Sequence, residues 1–200
     1  MPTGVALRDV RQQLFDAAER VLLRDGAPGL TSRAVTAEAG VAKGVLHKHF
    51  EDFDAFLAEL VQDRIARLEG QAAALRDSAG TGDVAGNLTE ALMTLFDPVA
   101  VSIVGLVIFR DELRARLPRA RPAFGIPVLT DAVAMISAYL NEECELGRIA
   151  ADADVDALAL SLIGAGHMLF AGREGVAPEP AEVGKVVNAV IADVTQRRLL

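Results

Sequence analysis

Between Thr31 and Phe50 the chain reads TSRAVTAEAGVAKGVLHKHF, and its polar residues are of the kinds that meet phosphates and base edges. Lys43 and Lys48 carry ammonium groups suited to phosphate oxygens, and the small Ala42 and Gly44 let a backbone approach a duplex closely. Val45 offers an apolar surface of the sort that meets a thymine methyl in the major groove. His47 can donate a hydrogen bond, and its ordinary pKa of about 6.5 would make that contact sensitive to pH.

Other chemistries find little support. His47 and His49 diverge on a helix and make a poor metal pair, and Glu142, Glu143 and Glu145 without histidine partners read as a charged helix face. The sequence holds no Gly-rich phosphate loop, no GxSxG elbow and no local Cys–His pattern, so neither catalysis nor a cofactor or metal is expected.

The elements needed to present Lys43, His47 and Lys48 are two short helices and a tight turn. Thr31 or Ser32 can cap the first helix, because a hydroxyl accepts from an otherwise unpaired backbone N–H. Val35 and Ala39 give that helix an apolar stripe, and Gly40 allows the left-handed backbone of a tight turn. Val41 and Leu46 then face inward on the second helix, Phe50 anchors its end, and Lys43, Gly44, His47 and Lys48 point outward. This is the shape of a helix-turn-helix whose second helix enters a major groove. An ordinary helix hairpin with a solvated basic face has the same local pattern.

The run TAEAGVAKGVLHKHF, preceded by a helix ending near Gly26 and followed by EDFDAFL, resembles the amino-terminal domain of the tetracycline-repressor (TetR) family. The resemblance covers about residues 8 to 60 and is architectural beyond them. It implies helices over Val10–Arg24, Thr31–Ala39 and Ala42–Phe50, the last being the recognition helix. With Thr31, Ser32 and Arg33 at the start of the second helix, the implied DNA contacts are Ala42, Lys43, Gly44, Val45, His47 and Lys48. Three positions depart from the family pattern: His47 replaces a usual tyrosine, Phe53 a usual lysine, and Thr36 a usual alanine. Without a lysine at position 53, the dipole at the start of the fourth helix is what remains there for a phosphate.

Composition fits a folded chain of one or two domains, with 52% hydrophobic residues, eight prolines and a single cysteine, Cys144, in 200 residues. The lone cysteine excludes an internal disulfide framework and suits a reducing compartment, and no signal peptide is evident, so the cytoplasm is the expected location. Net charge is −8, unevenly spread. Residues 1–50 hold seven bases against five acids, a net of +2, which leaves −10 for residues 51–200. A mildly basic head on an acidic body orients the head toward DNA.

The expected architecture is all-α, about nine helices: a helix-turn-helix domain over 1–52 and a helical effector-binding and dimerisation domain over 53–200. Periodicity and caps predict helices from Phe53 to about Ser78, from Asp83 or Val84 to Phe96, and from Pro98, capped by Asp97, to about Leu117. Further helices are expected over Val128–Leu146, Asp154–Gly172 and Glu182–Arg198, and the proline-rich Leu117–Pro127 reads as a long connection at the edge of a pocket. The apolar runs Val99–Phe109 and Ala157–Phe170 are too short for a span of about twenty residues and read as buried helices.

The family resemblance implies a homodimer joined by the last two helices, where Gly164 and Gly166 allow close approach. It further implies repression of a palindromic double-stranded DNA operator and release on binding a small effector. Candidate pocket residues are Leu92, Met93, Phe96, Ile103, Val107, Met135 and Met168 for an apolar molecule, with Arg110, Tyr139 and His167 to orient it. A helical effector-binding or scaffold protein with weakened DNA binding, or a helical enzyme, are the alternatives.

Overall fold

A computed structural model of the chain describes residues 4–117, 125–171, 173 and 176–197. Ten α-helices and no strand are found among them: α1 (Gly4–Gly29), α2 (Ser32–Glu38), α3 (Gly44–His49), α4 (Phe53–Asp77), α5 (Val84–Leu95), α6 (Pro98–Phe109), α7 (Asp111–Arg116), α8 (Pro127–Glu145), α9 (Val155–Phe170) and α10 (Pro180–Arg197). The chain is all-α, as the sequence implies. Positions 118–124 of the proline-rich connection, and the expected helix ends at Gly172 and Arg198, lie outside the described residues.

Local signals set several helix starts. Asp52, Asp83, Asp97 and Asp154 accept from the backbone N–H groups of Ala55, Gly86, Ala100 and Ala157 at 2.7 to 3.0 Å, each meeting one of the N–H groups a helix leaves unpaired. α1 loses its helical backbone at Gly26, whose φ of 68° favours glycine.

One expectation is corrected. The helix expected from Pro98 to Leu117 is two helices, because Arg110 adopts an extended backbone (φ −124°, ψ 97°) between α6 and α7. The change of direction buries Leu113 fully and carries Arg110 onto Asp54 at 3.0 Å and Arg116 onto Asp52. The tenth helix arises from this break.

The chain forms two compact units, one of residues 1–63 with 102–118 and the other of 64–101 with 119–200. The first thus holds the expected 1–52 together with the start of α4, most of α6 and α7. Its core closes around Phe15, Phe50 and Phe56, whose ring centroids lie 5.0 to 5.9 Å apart. The second unit packs α5, α8, α9 and α10 around Leu88, Leu92, Ile136, Tyr139, Leu162 and Val187. No single described helix is long and apolar enough to cross a membrane.

Candidate nucleic-acid interface and ligand cleft

α2 begins where Thr31 holds an extended backbone and its Oγ1 accepts from Ala34 N at 3.1 Å. Val35 and Thr36 are buried, and the Thr36 hydroxyl donates to Ser32 O at 2.9 Å, so a side chain larger than alanine is accommodated with its polar atom paired. Gly40 turns the chain at φ 67°, and Val41 N donates back to Thr36 O at 3.0 Å.

α3 then divides into two faces. Leu46 is fully buried and Phe50, just beyond the helix, is 4% exposed. Ala42, Lys43, Gly44, His47 and Lys48 are exposed, and Val45 is half-buried. Thr31 and Arg33 are exposed at the start of α2, with Ser32 half-buried between them. A Cβ built on Gly44 would meet nothing within 4 Å, so the protein's own packing does not demand glycine there.

Arg11 and Gln13 of α1 hold this motif, a role local sequence does not reveal. Arg11 Nη1 donates to His49 O at 3.0 Å at the end of α3, its guanidinium lies 4.4 Å over the Phe50 ring, and it pairs with Glu59. Gln13 Nε2 donates to Ala39 O at 2.8 Å at the end of α2. Arg20 and Arg24 both pair with Glu38, at 2.8 and 2.7 Å, and Arg24 above all, then Arg20, draws the Glu38 carboxyl below its usual range. Among the described residues 10–50, this leaves Arg33, Lys43 and Lys48 as cations without an ion pair, all three exposed.

The start of α4 is acidic. Asp52 caps it and binds Arg116, and Asp54 pairs with Arg110, so carboxylates already occupy the ground where the helix dipole would meet a phosphate. Phe53 stacks on Phe56 at 5.7 Å, with the Arg110 guanidinium 5.8 Å from its ring. Position 53 contributes packing in place of a cation.

The ten candidate effector contacts are divided between the two units. Ile103, Val107 and Arg110 belong to the first unit, and the other seven to the second. Leu92, Phe96, Ile103, Val107 and Tyr139 are 0 to 2% exposed and serve as core. The His167 ring lies 6.2 Å from Phe96, and its Nδ1 is buried without a hydrogen-bond partner. Met168 is 76% exposed, and Met93 borders a separate shallow cleft with Thr89 and Asn188.

Met135 alone of the ten lines the cleft of about 340 Å³ between α4, α5 and α8. Its apolar wall adds Ala74, Leu75 and Ala91. Its polar wall, unforeseen from sequence, comprises Gln71, Ser78, Asn87, Glu90 and Thr94. These stand at helical spacings that also suit an ordinary solvated face, so periodicity alone gives no sign of them. Among the described residues no three His, Cys, Asp or Glu side chains gather as a metal site requires.

Residues 14–60 match the family described as bacterial regulatory proteins, tetR family. No curated protein matches the chain. Solved structures share its fold at low identity. The fatty acid degradation regulator FadR from Bacillus halodurans is 19% identical over 91% of this chain and 94% of that one, with a TM-score of 0.71. A transcriptional regulator from Rhodococcus sp. Rha1 is 19% identical over 94% and 96%, with a TM-score of 0.65. The multidrug binding protein EbrR, complexed with imidazole, is 21% identical over 90% and 94%, with a TM-score of 0.59.

Proposed function

We propose that this chain, which belongs through residues 14–60 to the TetR family of bacterial transcriptional regulators, is a homodimeric repressor that leaves a palindromic operator when a small, largely apolar molecule binds its second unit. DNA-binding regulation is the general function that the family fold supports. The observation that carries the reading is the two-faced α3: Leu46 is fully buried while Lys43, Gly44, His47 and Lys48 stand in solvent. Lys43 and Lys48 meet phosphates, Ala42 and Gly44 let the backbone approach, and Val45 and His47 reach base edges or the sugar-phosphate chain. Thr31, Ser32 and Arg33 hold the phosphates flanking the groove.

One such helix reads few base pairs, and two of them about 34–36 Å apart read a palindrome. The dimer forms through α9 and α10. Leu160 and Met168 are 64% and 76% exposed, and with Ala157 and Gly164 they form one apolar stripe along α9, as a helix awaiting a partner does. The effector enters the cleft beside Met135, and repression is lifted because that molecule binds the DNA-incompetent arrangement better. The protein acts in the cytoplasm, where its operator is.

The test is binding of the purified protein to the DNA upstream of its own gene across a salt series, with unrelated DNA as control. Tight binding to one palindromic segment, with a log–log salt slope of about −0.9 for each phosphate contacted, is the expected result. A second reading, an effector-binding protein with weakened DNA binding, draws on Phe53 and the acids at the start of α4. Equal, weak binding to both fragments would favour it.

A further inference from the structure

The side chains lining the cleft beside Met135 share one chemical property: their hydrogens are almost all spent on the protein itself. The Ser78 hydroxyl donates to Leu75 O at 2.6 Å and the Thr94 hydroxyl to Glu90 O at 3.0 Å. Asn87 Nδ2 lies within bonding distance of three acceptors, Ser78 O, Thr81 O and the Tyr139 hydroxyl, at 3.0 to 3.2 Å, more than its two hydrogens can serve. What these groups still offer a ligand is lone pairs. Gln71 Oε1 is buried with no partner, and an acceptor left so is at odds with the usual pairing of buried polar atoms.

Charge points the same way. Glu90 is the one ionisable side chain lining the cleft, and no Lys, Arg or His lines it. A carboxylate ligand would face Glu90 with the Gln71 amide as the single lining side-chain donor not already engaged. An ammonium or other N–H group finds acceptors in Glu90 and in the hydroxyl lone pairs, while Ala74, Leu75, Ala91 and Met135 take the apolar remainder.

Resting on the reading of this cleft as the effector site, we infer that its ligand is an apolar molecule bearing a cationic amine, and not a fatty or aromatic acid. Recognition is by acceptors on α4 and α5 and needs no aromatic cage, consistent with a chain that has no tryptophan and one tyrosine, Tyr139, itself fully buried.

Three probes of one chain length separate the possibilities: octylammonium, 1-octanol and octanoate, titrated calorimetrically into the full-length protein at low salt. Octylammonium should bind at least about tenfold (about 1.4 kcal/mol) tighter than octanoate, with octanol between them. Glu90→Gln, at an exposed position, should remove most of that gap while the helical circular dichroism stays unchanged. Octanoate binding as well as octylammonium, or no binding of octylammonium, would overturn the assignment. Ala74→Trp, also at an exposed position, fills the cleft mouth and should abolish octylammonium binding; undiminished binding would move the site elsewhere. Tight octylammonium binding that is lost in Ala74→Trp yet leaves operator binding untouched would uphold the ligand class and overturn the effector reading.

Discussion

The Asp52 carboxylate and the Arg116 guanidinium meet through two parallel hydrogen bonds, Nη1 to Oδ1 at 2.9 Å and Nη2 to Oδ2 at 2.8 Å. Oδ1 also accepts from Ala55 N at the start of α4. The backbone N–H of Ala55, and after it Arg116, hold the Asp52 carboxyl below its ordinary 3.8. A depressed folded value means that this contribution to stability is complete above 3.8 and is lost as pH falls through the lower folded value. Asp52→Asn should therefore lower the melting temperature at neutral pH, and the difference from wild type should shrink once the solution is more acid than 3.8. Thermal melts of both proteins across that range check it, and a difference that does not vary with pH would remove the carboxylate from this role.

Lys48 and Arg11 should both matter for DNA binding and leave different signatures. Lys48 is exposed on the outward face of α3, so Lys48→Ala should weaken binding to every sequence and flatten the salt slope by about 0.9 per subunit. Arg11 acts on α3 from behind, through His49 O and the Phe50 ring. Arg11→Ala should cost about two- to tenfold in affinity, the range that one net hydrogen bond of about 0.5–1.5 kcal/mol gives, with the slope unchanged. Fluorescence anisotropy on operator DNA at several salt concentrations measures both quantities.

These two residues also mark what the sequence makes legible. Thr31, Gly40, Leu46 and the capping Asp52, Asp83, Asp97 and Asp154 are local signals, each meeting its partner within a few residues, and periodicity finds the helices they bound. Arg11 meets Glu59, 48 positions away, and nothing near either residue announces the other. The break at Arg110 has the same origin, since its partner Asp54 lies on a different helix. Glu143 reads as one acid of an exposed cluster yet is fully buried, accepting from Gly80 N across 63 positions. The effector candidates follow the same logic, because an apolar residue such as Leu92 looks alike in sequence whether it walls a cleft or fills the core. Only packing separates Leu92, at 0% exposure, from Met135 at the cleft.

Gly164 and Gly166 lie two residues apart on α9 and should respond oppositely to substitution. A Cβ on Gly164 would meet nothing within 4 Å, and the residue is exposed. One on Gly166 would come within 2.6 Å of Phe96 Cε2 in the core. Gly166→Ala should cost about 1–3 kcal/mol of stability by overpacking, whatever the oligomeric state. Gly164→Leu should leave the protomer's helicity intact and shift sedimentation from dimer toward monomer. A Gly164→Leu variant that remains dimeric at the wild-type concentration would take this stripe out of the interface.

A polar network ties the segment between α4 and α5 to the end of α8. Glu143 is fully buried, Arg148 Nε lies 3.3 Å from its Oε2, and Arg148 also donates to Thr81 O and Gly82 O at 3.0 and 2.7 Å. The Tyr139 hydroxyl joins it, accepting from Asn87 Nδ2; burial first, then the bond to Glu143, pushes its pKa above the ordinary 10.0, so it stays protonated as a donor. Arg148→Met keeps the apolar stem and removes the charge, which leaves the Glu143 carboxylate buried and uncompensated. The expected cost is about 3–5 kcal/mol. Adding Glu143→Leu should recover a large part of that loss, because the double variant buries neither charge. Urea unfolding of the two single variants and the double closes the cycle. Equal instability of Arg148→Met with and without Glu143→Leu would show that Arg148 acts through the carbonyls of Thr81 and Gly82 and not through the acid.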